Sequence, residues 1–253
     1  MNDYPNFKNS PIVEAIFDIR ATLPTNLNFE DISLFEESIK DEFPVKNIKA
    51  SLKADFSFQL NNIPSNIPLS TSKEGFVFSS LDNKKIIQVR LDGFTFSQLQ
   101  PYDSWDNFYN QACNLWKMYV QVARPDAVSR VALRYINKME IPFKEPFKIE
   151  DYVKIFPEIS ADIKVTLMDY FMRLVVTNPK YLPSIAIVNQ TIGELTENNT
   201  LPLIFDIDIY QDVIFSPEED EGKIKNIFEN NLRSFRNEIF FKAITKKTEA
   251  LFQ

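Results

Sequence analysis

Residues 11–21, PIVEAIFDIRA, alternate: Val13, Ala15, Phe17 and Ile19 fall on one face, Glu14, Asp18 and Arg20 on the other. A period of two is the mark of a strand buried on one side only. Residues 129–142, SRVALRYINKMEIP, repeat the pattern, and both stretches start from a Ser (Ser10, Ser129) and close on a Pro (Pro24, Pro142). Both strands have similar successors along the chain. After the first come an amphipathic helix over 29–42, strands at 51–60, 75–81, 85–92 and 94–99, and a helix over 103–123 capped by Asp103 or Ser104. After the second come a short helix near 149–156, strands near 163–177, 181–192 and 201–215, then a helix from Ser216 or Pro217 to about Ala243. The last residues, KKTEALF, form a short turn. The pattern predicts an α+β fold with antiparallel sheet and helices packed on one face. It has two pseudo-repeats of β-α-β(3-4)-α, spanning 1–126 and 127–253 and fused into one compact domain. Residues 61–74 and 194–200 read as loops.

Composition narrows the chemistry. The chain has 253 residues with 23 Phe, 9 Tyr, 1 Cys, 4 Gly and no His. Without imidazole there is no Ser-His-Asp or Cys-His pair and no His-ligated zinc. Four scattered glycines cannot write a GxGxxG turn or a P-loop, so no catalytic residue and no cofactor is assigned. Cys113 sits mid-helix where packing wants a small apolar group, and it cannot form an intrachain disulfide. A net charge of -7 disfavours nucleic acid as a bulk-charge partner without forbidding a local basic groove. The opening MNDYPNFKNSP has no basic segment followed by an apolar one, and no apolar run approaches the ~18 residues of a membrane span. The expectation is a soluble, cytoplasmic chain with no membrane partner.

The most informative feature is the second face of the strands. Of 8 Arg, five fall on predicted strands: Arg20, Arg90, Arg130, Arg134 and Arg173. Arginine suits fixed, bidentate recognition of carboxylate or phosphate, so these five are the candidate surface for a protein partner or an anionic small ligand. The plainer reading is a solvated face crossed by Arg–carboxylate pairs, since Glu14, Asp18 and Asp92 lie close by in sequence. A second candidate is Asp206-Ile207-Asp208, whose carboxylates project from one face about 7 Å apart. With Glu14 or Asp18 they could hold Mg²⁺ for phosphoryl transfer, although two solvent-facing acids opposite buried neighbours explain them as well. Trp105, Phe108, Tyr109, Trp116 and Tyr119 on the helix over 103–123 read as core rather than a base-stacking platform, because only Lys117 accompanies them. The segment 223–247 is locally basic, with Arg233 and Arg236 at i, i+3, and carries the apolar stripe Ile224, Ile227, Phe228, Leu232, Phe235, Ile239 and Phe240. It reads as a helix docked on the fold.

PIVEAIFDIR, SWDNFYNQACNLWKMY followed by SRVALRYINKMEIP, DIDIY, and the close LRSFRNEIFFKAITKKTEALF together resemble a bacterial protein family of about 250 to 270 residues described as sporadically distributed. The resemblance spans essentially the whole chain. It implies no activity and no catalytic residues. Patchy occurrence implies horizontally moved genes, which would fit a defence or toxin–antitoxin module. From residues and resemblance together, the expected function is a non-catalytic binding or interaction protein. A metal-dependent nuclease or nucleotidyltransferase and a structural homodimer are the alternatives.

Overall fold

The computed structural model describes residues 4–5, 7–54, 69–160, 162–165, 169–217 and 221–253. Strands among them are β1 (Ile12–Thr22), β2 (Val45–Ala54), β3 (Leu69–Ser79), β4 (Lys85–Arg90), β5 (Gly93–Leu99), β6 (Ala127–Pro142), β7 (Phe171–Thr177), β8 (Ile185–Ile192) and β9 (Thr200–Phe215). The helices are α1 (Phe29–Ser33), α2 (Glu36–Ile39), α3 (Trp105–Ala123), α4 (Glu221–Asn226), α5 (Ser234–Ala243) and α6 (Lys246–Glu249). All pairings are antiparallel, and the strands make one sheet in the order β2-β3-β4-β5-β1-β6-β9-β8-β7. The chain is thus an α+β fold built on a nine-stranded antiparallel sheet.

The central pair is the two alternating stretches that opened the sequence: β1 lies against β6, with Phe17 opposite Leu133. Each then has as its other neighbour the last strand of its own stretch, β5 beside β1 and β9 beside β6. Hairpin chemistry explains the outward continuation. Asn83, at φ 55, turns β3 into β4. Between β4 and β5 the two residues Leu91 and Asp92 suffice, because Arg90 pairs with Gly93. Gly93 has φ +146, and a Cβ there would stand 2.1 Å from the Ile19 carbonyl oxygen, so both dihedral and space require glycine.

The helices cover the face carrying Phe17, Leu133 and Phe205. Ser104 caps α3 by accepting from Asn107 N–H, 3.2 Å away. The buried stripe of α3 includes Trp105, Phe108, Tyr109, Ala112, Leu115, Trp116 and Tyr119. Phe17 of β1 stacks on Phe228 at 4.3 Å between ring centroids, Phe96 of β5 on Phe108 at 5.6 Å, and Tyr181 on Phe235 at 5.0 Å. Each fully buried Phe contributes roughly 1.5–3 kcal/mol, which gives the high Phe content its use.

Several expected boundaries moved. The helix over 29–42 is two short helices, α1 and α2, joined by tight i→i+3 bonds: Leu34 N–H to Asp31 at 3.2 Å and Phe35 N–H to Ile32 at 3.2 Å. Of the expected stripe Phe29, Ile32, Phe35 and Ile39, the last three are buried and Phe29 is half-buried, and Phe43 just beyond joins the core. The strand expected at 51–60 begins earlier, at Val45, and its residues 55–60 lie outside the described residues, as do 61–68 of the expected loop; residues 69–74 belong to β3. Only a 3₁₀ turn, Ile149–Asp151, stands where a helix near 149–156 was expected. The strand near 163–177 is confined to β7, with 166–168 outside the described residues. The last long helix is α4 and α5 joined by a π turn, Ile227–Arg233; its expected start falls at 216–220, of which 218–220 are not described. A π turn holds more residues than an α turn. Accordingly α5 buries Phe235, Arg236, Phe240 and Ala243, and Ile239 is only half-buried.

Candidate functional site

The face that the helices leave uncovered is where period two placed the arginines. Register aligns Gly75, Arg90, Gly93, Arg20, Arg130 and Asp212 in one row across the strands. The next rows carry Gln88, Thr95, Asp18, Ala132 and Tyr210, then Ile86, Ser97, Ile16, Arg134, Asp208, Ile187 and Val175. A further row runs Leu99, Glu14, Ile136, Asp206, Asn189 and Arg173. With strands about 4.8 Å apart, the arginines are spread over several strands, and half-buried isoleucines lie between them.

Four of the five are held by local carboxylates. Arg90 Nη2 donates to Asp18 Oδ1 at 2.9 Å, its Nε to Asp92 Oδ1 at 2.9 Å and its Nη1 to Thr95 Oγ1 at 2.5 Å. Thr95 in turn donates to Asp18 at 2.6 Å. Arg20 pairs with Asp92 and lies 3.4 Å from Asp18. Arg134 makes a two-pronged pair with Asp206, 2.7 Å on each prong, and Asn189 donates to the same carboxylate at 3.0 Å. Arg130 stands 3.9 Å from Asp208 and its guanidinium lies 4.2 Å above the Tyr210 ring. Its Nε is buried without an acceptor, and Asn189 Oδ1 is buried without a donor. Arg173, exposed on the edge strand β7, has no carboxylate within ion-pair distance among the described residues.

These surroundings tune the acids differently. Burial pushes the Asp208 carboxyl up, against the opposing pull of Arg130 and Arg134. Burial acts the same way on Asp92, but the hydrogen bond and charge of Arg90, with Arg20, outweigh it and hold that carboxyl below its usual range. The Asp206 hydrogen bonds raise the Arg134 pKa further, so that guanidinium stays charged at any workable pH.

Exposure separates the arginines by role. Only 5% of the Arg90 side chain reaches solvent, against 38% for Arg20 and 41% for Arg134. Arg90 therefore fixes Asp18 and Asp92 rather than meeting a partner itself. The supporting residues Thr95, Asn189 and Tyr210 were not singled out from the sequence; their place on the arginine face could have been read from strand period, but their contacts could not.

Of the acids weighed for a metal, Asp206 is engaged by Arg134 and Asn189, and Asp18 by Arg90 and Thr95. Glu14 on β1 lies two strands from Asp206 on β9, with Ile136 of β6 between them. Among the described residues no group of three or more His, Cys, Asp or Glu side chains is placed to hold a metal ion. No helix among them is long and apolar enough to cross a membrane. No protein-family model matches the chain, and no curated protein or solved structure matches it significantly.

Proposed function

We propose that the chain is a non-catalytic binding protein whose partner is another protein seated on the uncovered sheet face. One observation carries this reading: on that face the half-exposed Arg20 and Arg134 are already bonded to Asp92 and Asp206, and Arg130 is stacked on Tyr210 within ion-pair distance of Asp208. Arginines held in place lose little side-chain freedom on association, and Arg and Tyr are the residue types that dominate binding hot spots. The face alternates in sign and includes half-buried Ile16, Ile136 and Ile187. That suits a protein surface of mixed charge better than a polyanion. A cytoplasmic setting would keep Cys113 as a thiol, and a partner within a defence or toxin–antitoxin module would fit the sporadic distribution that the resemblance implies.

The test compares partner capture from the native host by the wild-type chain, by Ile187→Asp and Arg134→Ala on the open face, and by Asn114→Asp on exposed α3. Binding should fall by about 30-fold or more, the ~2 kcal/mol of a hot spot, in the first two and persist in the third. Capture undiminished by both open-face variants would overturn the assignment. Light scattering adds a second arm: a dimer that dissolves on Ile187→Asp would make the partner a second copy.

A further inference from the structure

On the opposite, helix-covered side lies a cavity of about 140 Å³, between Pro5, Phe7 and Ser10 near the N-terminus, the start of α3, the core face of β6 and α5. Two arginines line it, Arg233 from the π turn and Arg236 from α5. Arg236 is 8% exposed, its guanidinium lies 3.7 Å above the Tyr135 ring, and its Nη1 donates to Asn237 Oδ1 at 2.7 Å. Its Nε has no acceptor. The Arg233 guanidinium sits 4.9 Å from the Trp105 ring. Neither arginine has a carboxylate within ion-pair distance among the described residues, in contrast to the four paired arginines of the open face.

A buried cation without a counter-charge is costly. Stacking on Tyr135 and Trp105 offsets part of that cost through the ring faces, and it leaves the guanidinium edges free to donate in pairs. Trp105, Tyr102 and Tyr135 also line the cavity. Trp105 Nε1 is buried without an acceptor, and the Tyr102 and Tyr135 hydroxyls stand 2.9 Å apart, so that one of them has a hydrogen not committed to the other. Burial pushes the Tyr102 phenol up, which keeps its proton in place. The acid in the lining, Asp103, is engaged by the Asn107 side chain. The space is ample for a compact group such as a phosphate or carboxylate.

We infer that this cavity binds a compact oxyanion, a phosphate or carboxylate group, held by the guanidiniums of Arg233 and Arg236. The site is independent of the open sheet face, and either can stand without the other. The experiment is calorimetric titration of the intact chain with sodium phosphate and, in a second arm, sodium acetate, each against sodium chloride at matched ionic strength. The wild type should show one saturable site in at least one arm, and the stronger arm identifies the group. Arg233→Gln, a half-buried position that should still fold, should weaken binding at least 10-fold, and Arg236→Gln should abolish it, with circular dichroism checking the fold. If Arg236→Gln does not fold, Arg233→Gln decides alone. Heats equal to chloride in both arms, or wild-type affinity in Arg233→Gln, would overturn the inference.

Discussion

Arg90 on β4 reaches over β5 to Asp18 on β1, Nη2 to Oδ1 at 2.9 Å, with Thr95 of the intervening strand bonded to both. Three strands are cross-tied at one point. Removing the carboxylate leaves a guanidinium that is 5% exposed short of its main counter-charge. Asp18→Ala should therefore cost about 3–5 kcal/mol, the usual penalty for breaking a buried pair. Asp18→Asn, which keeps an acceptor, should cost less. Urea denaturation measures both; equal and small losses would mean that Asp92 alone holds Arg90.

The Gly93 position offers a contrast with Gly222. Alanine at 93 would place Cβ 2.1 Å from the Ile19 carbonyl oxygen at φ +146, whereas nothing lies within 4 Å of the corresponding site at Gly222. Gly93→Ala should destabilise by on the order of 3 kcal/mol. Gly222→Ala, in helical α4, should stabilise by about 0.5 kcal/mol. Opposite signs in chemical denaturation are the expected result.

Asp208 supplies a pH test. Burial raises its carboxyl above the ordinary 3.8, so the folded state binds that proton more tightly than the unfolded state. The ionised form therefore costs stability at neutral pH, and the cost is relieved as pH falls through the raised native value towards the ordinary one. Asp208→Asn should melt higher than wild type at pH 7, with the gap closing on acidification. A lower melting temperature at pH 7 would show that the Arg130 contact outweighs burial.

Phe228 joins the last helical segment to β1 and α3, stacking on Phe17 at 4.3 Å and lying 5.8 Å from Tyr109. Phe228→Ala should cost about 3–5 kcal/mol. Ile214, 91% exposed on β9, is the control, and Ile214→Ala should stay within about 0.5 kcal/mol of wild type. Thermal melts with both variants check the pair.

Strand period was legible wherever one face is buried: β1, β6 and β9 and the stripe of α3 all follow from alternation or helical spacing. β2 was missed at its start because Lys46 and Lys49, suited to a sheet edge, interrupt the apolar signal. Period two placed Arg20, Arg90, Arg130 and Arg134 opposite the apolar side of their own strands, while their alignment on one face of one sheet is set by register and strand order. Their partners were not legible. Arg90 meets Asp18 only because β5 separates β4 from β1, and strand order is absent from local pattern. Arg236 was hidden differently, by a π turn that shifts the phase of α5 relative to the stripe in the sequence.

The pairing of Arg20, Arg130 and Arg134 with their aspartates also governs how fast anything could find that face. Adjacent opposite charges form short dipoles, whose field fades faster than that of a lone charge and is further damped beyond a Debye length of about 8 Å. Such a surface does little to steer a molecule in from a distance. Association there should run near the unassisted ~10⁵–10⁶ M⁻¹s⁻¹ and change little with added salt. Discrimination would then reside in how long a bound molecule stays.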